Sequence, residues 1–155
     1  MIELNKKTQQ DFLNREWVQR LLDAGVDMSD AKYCICEFNS LRITVNYMDV
    51  IISKDMVDNY KTNGMIDNIL PTYTVSELLY KLHEWIYPTI DGIEYRGPLT
   101  FLKDAPFYMF FYDLAAKPDE EGYVLATKSK NTEYIYAEFE YPIESLASLL
   151  IQCHN

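Results

Sequence analysis

The chain has 155 residues, 48% of them apolar and 25% charged, with a formal net charge of −10, the composition of a folded globular protein and not of a disordered one. The acid is spread throughout: residues 1–80 carry 8 basic and 12 acidic groups, and residues 81–155 carry 6 and 12. Nucleic acids and anionic membranes are bound by Lys and Arg neutralising phosphates, so this balance argues against both and leaves room for a basic protein partner.

Residues 8–24 read as a first helix, with Thr8 or Asp11 as its cap and Phe12, Trp17, Val18, Leu21 and Leu22 as its apolar members. Gly25 should end it. Val26 would then touch Leu21, as in a Schellman motif. The turn Asp27-Met28-Ser29-Asp30 has two carboxylates but lacks the further oxygens and the glycine of an EF-hand loop.

Residues 33–38 and 41–47 form a hairpin candidate across Asn39-Ser40, since Leu41, Ile43, Val45 and Tyr47 alternate with polar residues. Val50-Ile51-Ile52 is a continuation or another short strand. Residues 54–70, around Asn63-Gly64, are expected to be a loop with one helical turn. Met56, Val57, Met65, Ile66, Ile69 and Leu70 imply that it packs down on the fold.

Residues 74–86 carry the clearest helix signal. Thr74 and Glu77 stand at capping-box spacing, and Tyr73 and Leu78 suit the hydrophobic staple beside it. Val75, Leu78, Leu79, Leu82, Trp85 and Ile86 make one apolar stripe, opposite Ser76, Tyr80, Lys81, His83 and Glu84. Pro88 stops the helix and Asp91-Gly92 makes a turn.

Antiparallel strands follow over residues 99–140. Residues 99–102 and 106–112 flank Lys103-Asp104-Ala105, and the Phe107 to Tyr112 run is apolar on both faces, as an inner strand would be. Residues 115–122 read as a polar loop, and residues 123–127 and 134–139 as a last hairpin. Pro142 opens a closing helix over residues 142–153, with Ile143, Leu146, Ala147, Leu150 and Cys153 inward and Leu149 and Ile151 widening the stripe.

This order predicts an α+β fold: two layers, with helices packed on one face of a mostly antiparallel sheet, in a single domain over residues 1–155. Thirteen tyrosines, seven phenylalanines and two tryptophans favour strands and some exposed rings. No apolar run approaches the roughly 20 residues of a membrane-spanning helix. The opening Met1-Ile2-Glu3-Leu4-Asn5 has no signal-peptide pattern, so cytoplasm is the expected location.

The opening Pro71-Thr72-Tyr73-Thr74-Val75-Ser76-Glu77-Leu78-Leu79, the aromatic hairpins after it and the closing Leu146-Ala147-Ser148-Leu149-Leu150-Ile151 resemble a group of small uncharacterised proteins of gut bacteria and their phages and prophages. Those open a helix with P-A-x-T-L-x-x-L-L and close with A-L-x-x-L-L-I-W-L. Here Gln152-Cys153-His154-Asn155 stands where the group usually has Trp. The resemblance implies a bacterial or mobile-element context and no assigned activity, so it carries over no site residue.

No nucleotide-binding, metalloprotease or hydrolase motif occurs. Cys34, Cys36 and Cys153 lack the paired C-x-x-C spacing of zinc sites and read as core thiols, so neither a metal nor a cofactor is expected. His83 and His154 are poorly placed as bases for a nucleophile, and no catalytic residue is assigned. Glu138 and Glu140 share a strand face, the spacing of a glycosidase pair, but an outward face is more often simply solvated. The reading that remains is a non-catalytic interaction protein meeting an unknown protein partner through Tyr80, Tyr134 and Tyr136 among the carboxylates Glu138 and Glu140. Its alternatives are a DNA-mimic inhibitor of a nucleic-acid-binding enzyme, and a ligand binder or enzyme with a pocket between sheet and helices.

Overall fold

A computed structural model describes residues 1–38, 48–104, 107–117, 127–128 and 139–154. The first helix, α1 (Arg15–Asp23), opens at Asn14, whose side-chain oxygen accepts the Trp17 amide at 3.1 Å. Neither Thr8 nor Asp11 is its cap. Thr8–Gln10 form a separate 3-10 turn, tied by the Asn5 amide donating to the Thr8 hydroxyl at 2.8 Å. Between them Phe12 bridges antiparallel to Thr74, and Leu13 donates to the Tyr73 carbonyl at 3.1 Å. That pairing demands extended backbone, which divides the expected 8–24 helix. Its end is as the sequence predicts. Gly25 is left-handed at φ +85, and the Val26 and Gly25 amides reach the Leu21 and Leu22 carbonyls, both at 3.0 Å, completing the Schellman motif.

The first sheet runs in the order β1 (Ile2–Glu3), β3 (Met48–Ser53), β2 (Tyr33–Phe38), β4 (Ile66–Thr72), every pair antiparallel. One edge of β2 pairs with β3, from Tyr33↔Ser53 to Phe38↔Met48, and the other with β4. Both edges are therefore taken, and the hairpin turn expected at Asn39-Ser40 lies outside the described residues. Residues 41–47 lie outside the described part. The stretch expected as a loop is a 3-10 turn (Lys54–Met56), α2 (Val57–Thr62) and β4. Asn68 and Pro71 are poor strand formers, which hides β4 in the sequence. A register shift opposite Ile35 and Glu37 and a left-handed Asn68, φ 47, accommodate the asparagine, and Pro71 stands on β4 at the end of the strand order. One face of this sheet buries Cys34, Cys36, Val50, Ile52 and Ile66 against Val57 and Tyr60, and the other buries Ile35 and Ile51 against Phe12.

Helix α3 (Val75–Lys81) carries the predicted capping box: the Thr74 hydroxyl accepts the Glu77 amide at 3.2 Å, and the Glu77 carboxylate accepts the Thr74 amide at 3.1 Å. Tyr73 and Leu78 are both fully buried, as the staple requires. Thr74→Ala should lower unfolding free energy by about 1 kcal/mol in urea titration, with the slope unchanged. The helix stops five residues short of Ile86, however. Leu82 is extended and buried, and Trp85, expected on the inner stripe, is 48% exposed.

The second sheet causes that early stop. Residues 85–90 supply β5 (Trp85–Ile86) and β6 (Thr89–Ile90), turn at Asp91-Gly92, and pair back along β7 (Ile93–Asp104). Asp91 and Gly92 have φ 52 and 79, the doubly left-handed backbone of a type I′ hairpin. The Tyr112 hydroxyl donates to the His83 carbonyl at 2.7 Å, holding the exit from α3. The other edge of β7 pairs in one register with β8 (Phe107–Tyr112) and β9 (Leu114–Ala116), from Asp104↔Phe107 to Tyr95↔Ala116, and β10 (Thr127–Lys128) adds to β9. The polar loop expected from residue 115 therefore starts as a strand, because the pairing of Arg96 and Tyr95 with Ala115 and Ala116 continues the ladder. Residues 129–138, with the last predicted strand, lie outside the described part.

Helix α4 (Pro142–His154) lies against β8, α1 and α3. The Phe110 amide donates to the Ser145 hydroxyl at 2.8 Å, so a helix side chain satisfies one backbone donor of β8. Ile143, Leu146, Ala147 and Leu149 are buried. Cys153, expected inward, is exposed in the last turn of the helix. The main core gathers α1, α3, α4 and one face of the second sheet, including Tyr95, Tyr112 and Leu114. The fold is α+β, with helix on antiparallel strands. The described strands divide between two sheets. Among the described residues no helix is long and apolar enough to cross a membrane.

Candidate functional site

Three side chains stand out on the surface between the end of α3 and β6. Tyr80 is 92% exposed, Tyr87 73% and Trp85 about half. Tyr80 was expected outside, since it falls on the polar side of α3. Trp85, expected on the inner stripe, lies in β5, and Tyr87, given no role by the sequence, follows directly after that strand. Trp85 stands across from Pro98, and in the same register Tyr87 stands beside Arg96, which is exposed. A shallow hollow of about 350 Å³ at Tyr87 is bounded by Arg96 and Lys117, the latter 3.4 Å from Glu94.

Tyr80 overhangs a cleft of about 440 Å³ whose wall is a polar brace. The buried Tyr73 hydroxyl donates to Asp30 at 2.6 Å and lies 3.1 Å from the Asp27 carbonyl. The Lys81 ammonium meets the other Asp30 oxygen at 2.7 Å and lies 5.1 Å from the centre of the Tyr73 ring. The Lys32 amide donates to Glu77 at 3.3 Å, so the capping carboxylate also ties down the start of β2. Lys81 and Tyr73 hold the Asp30 carboxyl below its ordinary value, and burial with Asp30 beside it pushes the Tyr73 phenol well above its own. A phenol held protonated and an ammonium already paired make a structural tie, not an acid–base couple.

Because the Asp30 pKa is lower in the folded state, its contribution is fully present above the unfolded value of 3.8 and is lost as pH falls through the folded value. The stability gap between the wild type and Asp30→Asn, followed by urea midpoints, should therefore be constant from pH 7 to about 5 and close below that.

A cavity of about 810 Å³ is an open groove between α1 and β4. Arg15 crosses its floor, donating to the Asn68 carbonyl at 2.7 Å and to Asp49 at 3.0 Å. Asn68 in turn donates to Glu37 at 2.8 Å, and Gln19 to Asp23 at 2.9 Å. Arg20 pairs with Glu16 at 2.7 Å and stacks 4.3 Å above Trp17.

The three cysteines are free. Burial pushes the Cys36 thiol to about 11 and raises Cys34 as well, so neither is a nucleophile near neutral pH. Among the described residues no three His, Cys, Asp or Glu side chains converge as a metal-binding set. Of the residues expected at a partner surface, Tyr80 and Glu140 are exposed, whereas Tyr134, Tyr136 and Glu138 lie outside the described part. The described residues do not bring Tyr80 and Glu140 into contact.

Fold and surface together define a small acidic α+β protein that displays aromatic rings and assembles no reactive constellation among its described residues. No protein-family model matches the chain, and comparison with curated proteins and with solved structures finds no match.

Proposed function

We propose that this chain is a non-catalytic protein–protein interaction module, and that Tyr80, Trp85, Tyr87 and Arg96 form the surface that meets the partner. The observation that carries this reading is the exposure of Tyr80 and Tyr87, 92% and 73%, against the burial of Tyr73, Tyr95 and Tyr112. Tyr, Trp and Arg are the residue types in which binding energy concentrates at interfaces, because they supply large contact area with few rotatable bonds and a polar tip. The net charge of −10 favours a basic partner and speeds its encounter. A cytoplasmic setting in a gut bacterium or one of its mobile elements fits three unpaired cysteines and the likeness of the 71–79 and 146–151 segments to that group.

The test is capture from a native lysate with the tagged chain and with Tyr80→Ala/Tyr87→Ala. Both sites are exposed, so the variant should unfold within about 0.5 kcal/mol of the wild type. A partner held by the wild type should bind the variant roughly 30-fold more weakly, the effect of losing at least 2 kcal/mol at a hot spot. A partner held equally by both, or no partner at all, would refute the reading. Displacement by duplex DNA would identify the partner as a nucleic-acid-binding protein and the chain as a mimic of the DNA field.

A further inference from the structure

We propose that the outer edge of residues 85–89 in the second sheet takes an added β-strand, and that the occupant is an extended segment of a partner protein with a lysine or arginine at each end of an uncharged run. The inference rests on the reading of this surface as a partner site and says how the partner is held.

The phase of the ladder sets which backbone groups face outward. β5 and β6 pair with β7 in one register, from Trp85↔Pro98 to Ile90↔Ile93. The Leu99 amide reaches the Glu84 carbonyl at 2.7 Å, and the Tyr95 amide reaches the Pro88 carbonyl at 2.8 Å. Antiparallel strands bond through alternate residues, so Glu84, Ile86 and Pro88 turn their backbones to β7, and Trp85, Tyr87 and Thr89 turn theirs away. No described strand pairs with that side. Its N–H and C=O groups alternate over about 14 Å, at roughly 3.4 Å per residue.

Exposed edges of this kind are ordinarily blunted by a charge, a bulge or a proline. Trp85-Ile86-Tyr87-Pro88-Thr89-Ile90 has no charged residue, and its pairing with β7 has no register shift. Its proline shares the inward phase of Glu84, so the N–H it lacks is not one that faces outward. Trp85, Tyr87 and Thr89 are exposed, which leaves this side of the strand open to solvent.

Backbone and charge choose the occupant together. Alternating donors and acceptors at strand spacing are matched by another extended polypeptide, which pairs with all of them at once. Glu84 precedes the uncharged run and Asp91 follows it, both exposed and neither in an ion pair among the described residues. A second copy of this chain, paired antiparallel about Tyr87, would bring Glu84 of each copy beside Asp91 of the other, on top of a net charge of −10 on each. A partner strand with Lys or Arg about seven residues apart meets both carboxylates instead.

The full chain, labelled with nitrogen-15, can be titrated with acetyl-Lys-Thr-Val-Thr-Val-Thr-Val-Lys-amide while amide hydrogen exchange is followed. With the peptide at about ten times its Kd, exchange at Trp85, Tyr87 and Thr89 should slow roughly tenfold. Ile86 and Ile90, whose amides already face β7, should change little. Glu84→Gln/Asp91→Asn should weaken the peptide about fivefold at low salt. Thr89→Pro removes one outward N–H, leaves Tyr80, Trp85, Tyr87 and Arg96 in place, and should weaken the peptide about tenfold. The exchange pattern of the wild type tests the same claim without a substitution. Unchanged exchange at the outward amides, or equal affinity in Thr89→Pro, would overturn the proposal. So would slowed exchange at those amides in the protein alone as its concentration rises, which would make the occupant a second copy. A lysate partner lost by Tyr80→Ala/Tyr87→Ala but kept by Thr89→Pro would overturn strand addition and leave the interaction surface standing.

Discussion

Gly97→Ala lowers the stability of this protein by about 3 kcal/mol, the upper end of the usual overpacking range, because the added methyl has backbone and not a flexible side chain in its way. A Cβ at Gly97 would collide with the Asp113 carbonyl oxygen, lying 2.7 Å from its carbon and 2.9 Å from the Leu114 side chain. Gly97 lies inside β7, paired with Ile86 on one edge, at the level where the facing strand breaks at Asp113 between β8 and β9. The Asp113 amide still reaches the Pro98 carbonyl at 3.3 Å, so the strand bends inward without leaving the ladder. Glycine in a strand interior commonly marks such an approach. The thermal midpoint of Gly97→Ala should fall by roughly 6–12 °C, at about 2–4 °C per kcal/mol for a chain of this size. Gly92→Ala is the control. Nothing lies within 4 Å of its added Cβ, and only the left-handed backbone, φ +79, opposes it. Its loss should be about 1 kcal/mol.

Leu146→Ala should destabilise by a similar amount, about 3–4 kcal/mol. Leu146 is fully buried in the middle of α4, the helix in contact with β8, α1 and α3 at once. Removing its side chain leaves a cavity bounded by several elements, and no single one can move in to fill it without leaving the others. Leu-to-Ala losses in cores run from about 2 to 5 kcal/mol with that difficulty of collapse. Leu150→Ala, one turn later and half-buried, should lose about half as much. Denaturant titration of the pair measures the difference. Equal losses would mean that α4 is covered as deeply at its end as in its middle, against the exposure of Cys153 and His154.

The aromatic surface lies where a helical and a strand pattern overlap in the sequence. Trp85 fits the α3 stripe at helical spacing, and equally it opens Trp85-Ile86-Tyr87, which leads to Asp91-Gly92 and on to Ile93-Glu94-Tyr95. Alternation on both sides of an Asp-Gly pair is the strongest local signal of a hairpin. The signal was therefore present, and the helical pattern outweighed it because Val75 to Leu82 continued without a break until Pro88. What decided between them was a contact 29 residues away, the Tyr112 hydroxyl on the His83 carbonyl, together with the ladder to β7. The groove is different. Nothing local foretells that Asn68 will be left-handed or that Arg15 will reach its carbonyl, since both follow from a strand that only tertiary pairing creates.

By itself the sequence determined the features whose physics closes within a few residues: the Thr74–Glu77 capping box, the Gly25 stop with Val26 on Leu21, the Asp91-Gly92 turn, the Pro142 helix start and the α+β class. Each is set by hydrogen bonds or backbone angles that neighbouring residues supply among themselves. Tertiary structure alone decided that Phe12 and Leu13 leave the first helix, that residues 66–72 become a strand, that α3 ends at Lys81, and that Ser145 caps β8. In each of those cases a backbone group takes a partner far away in sequence, which no local pattern can announce.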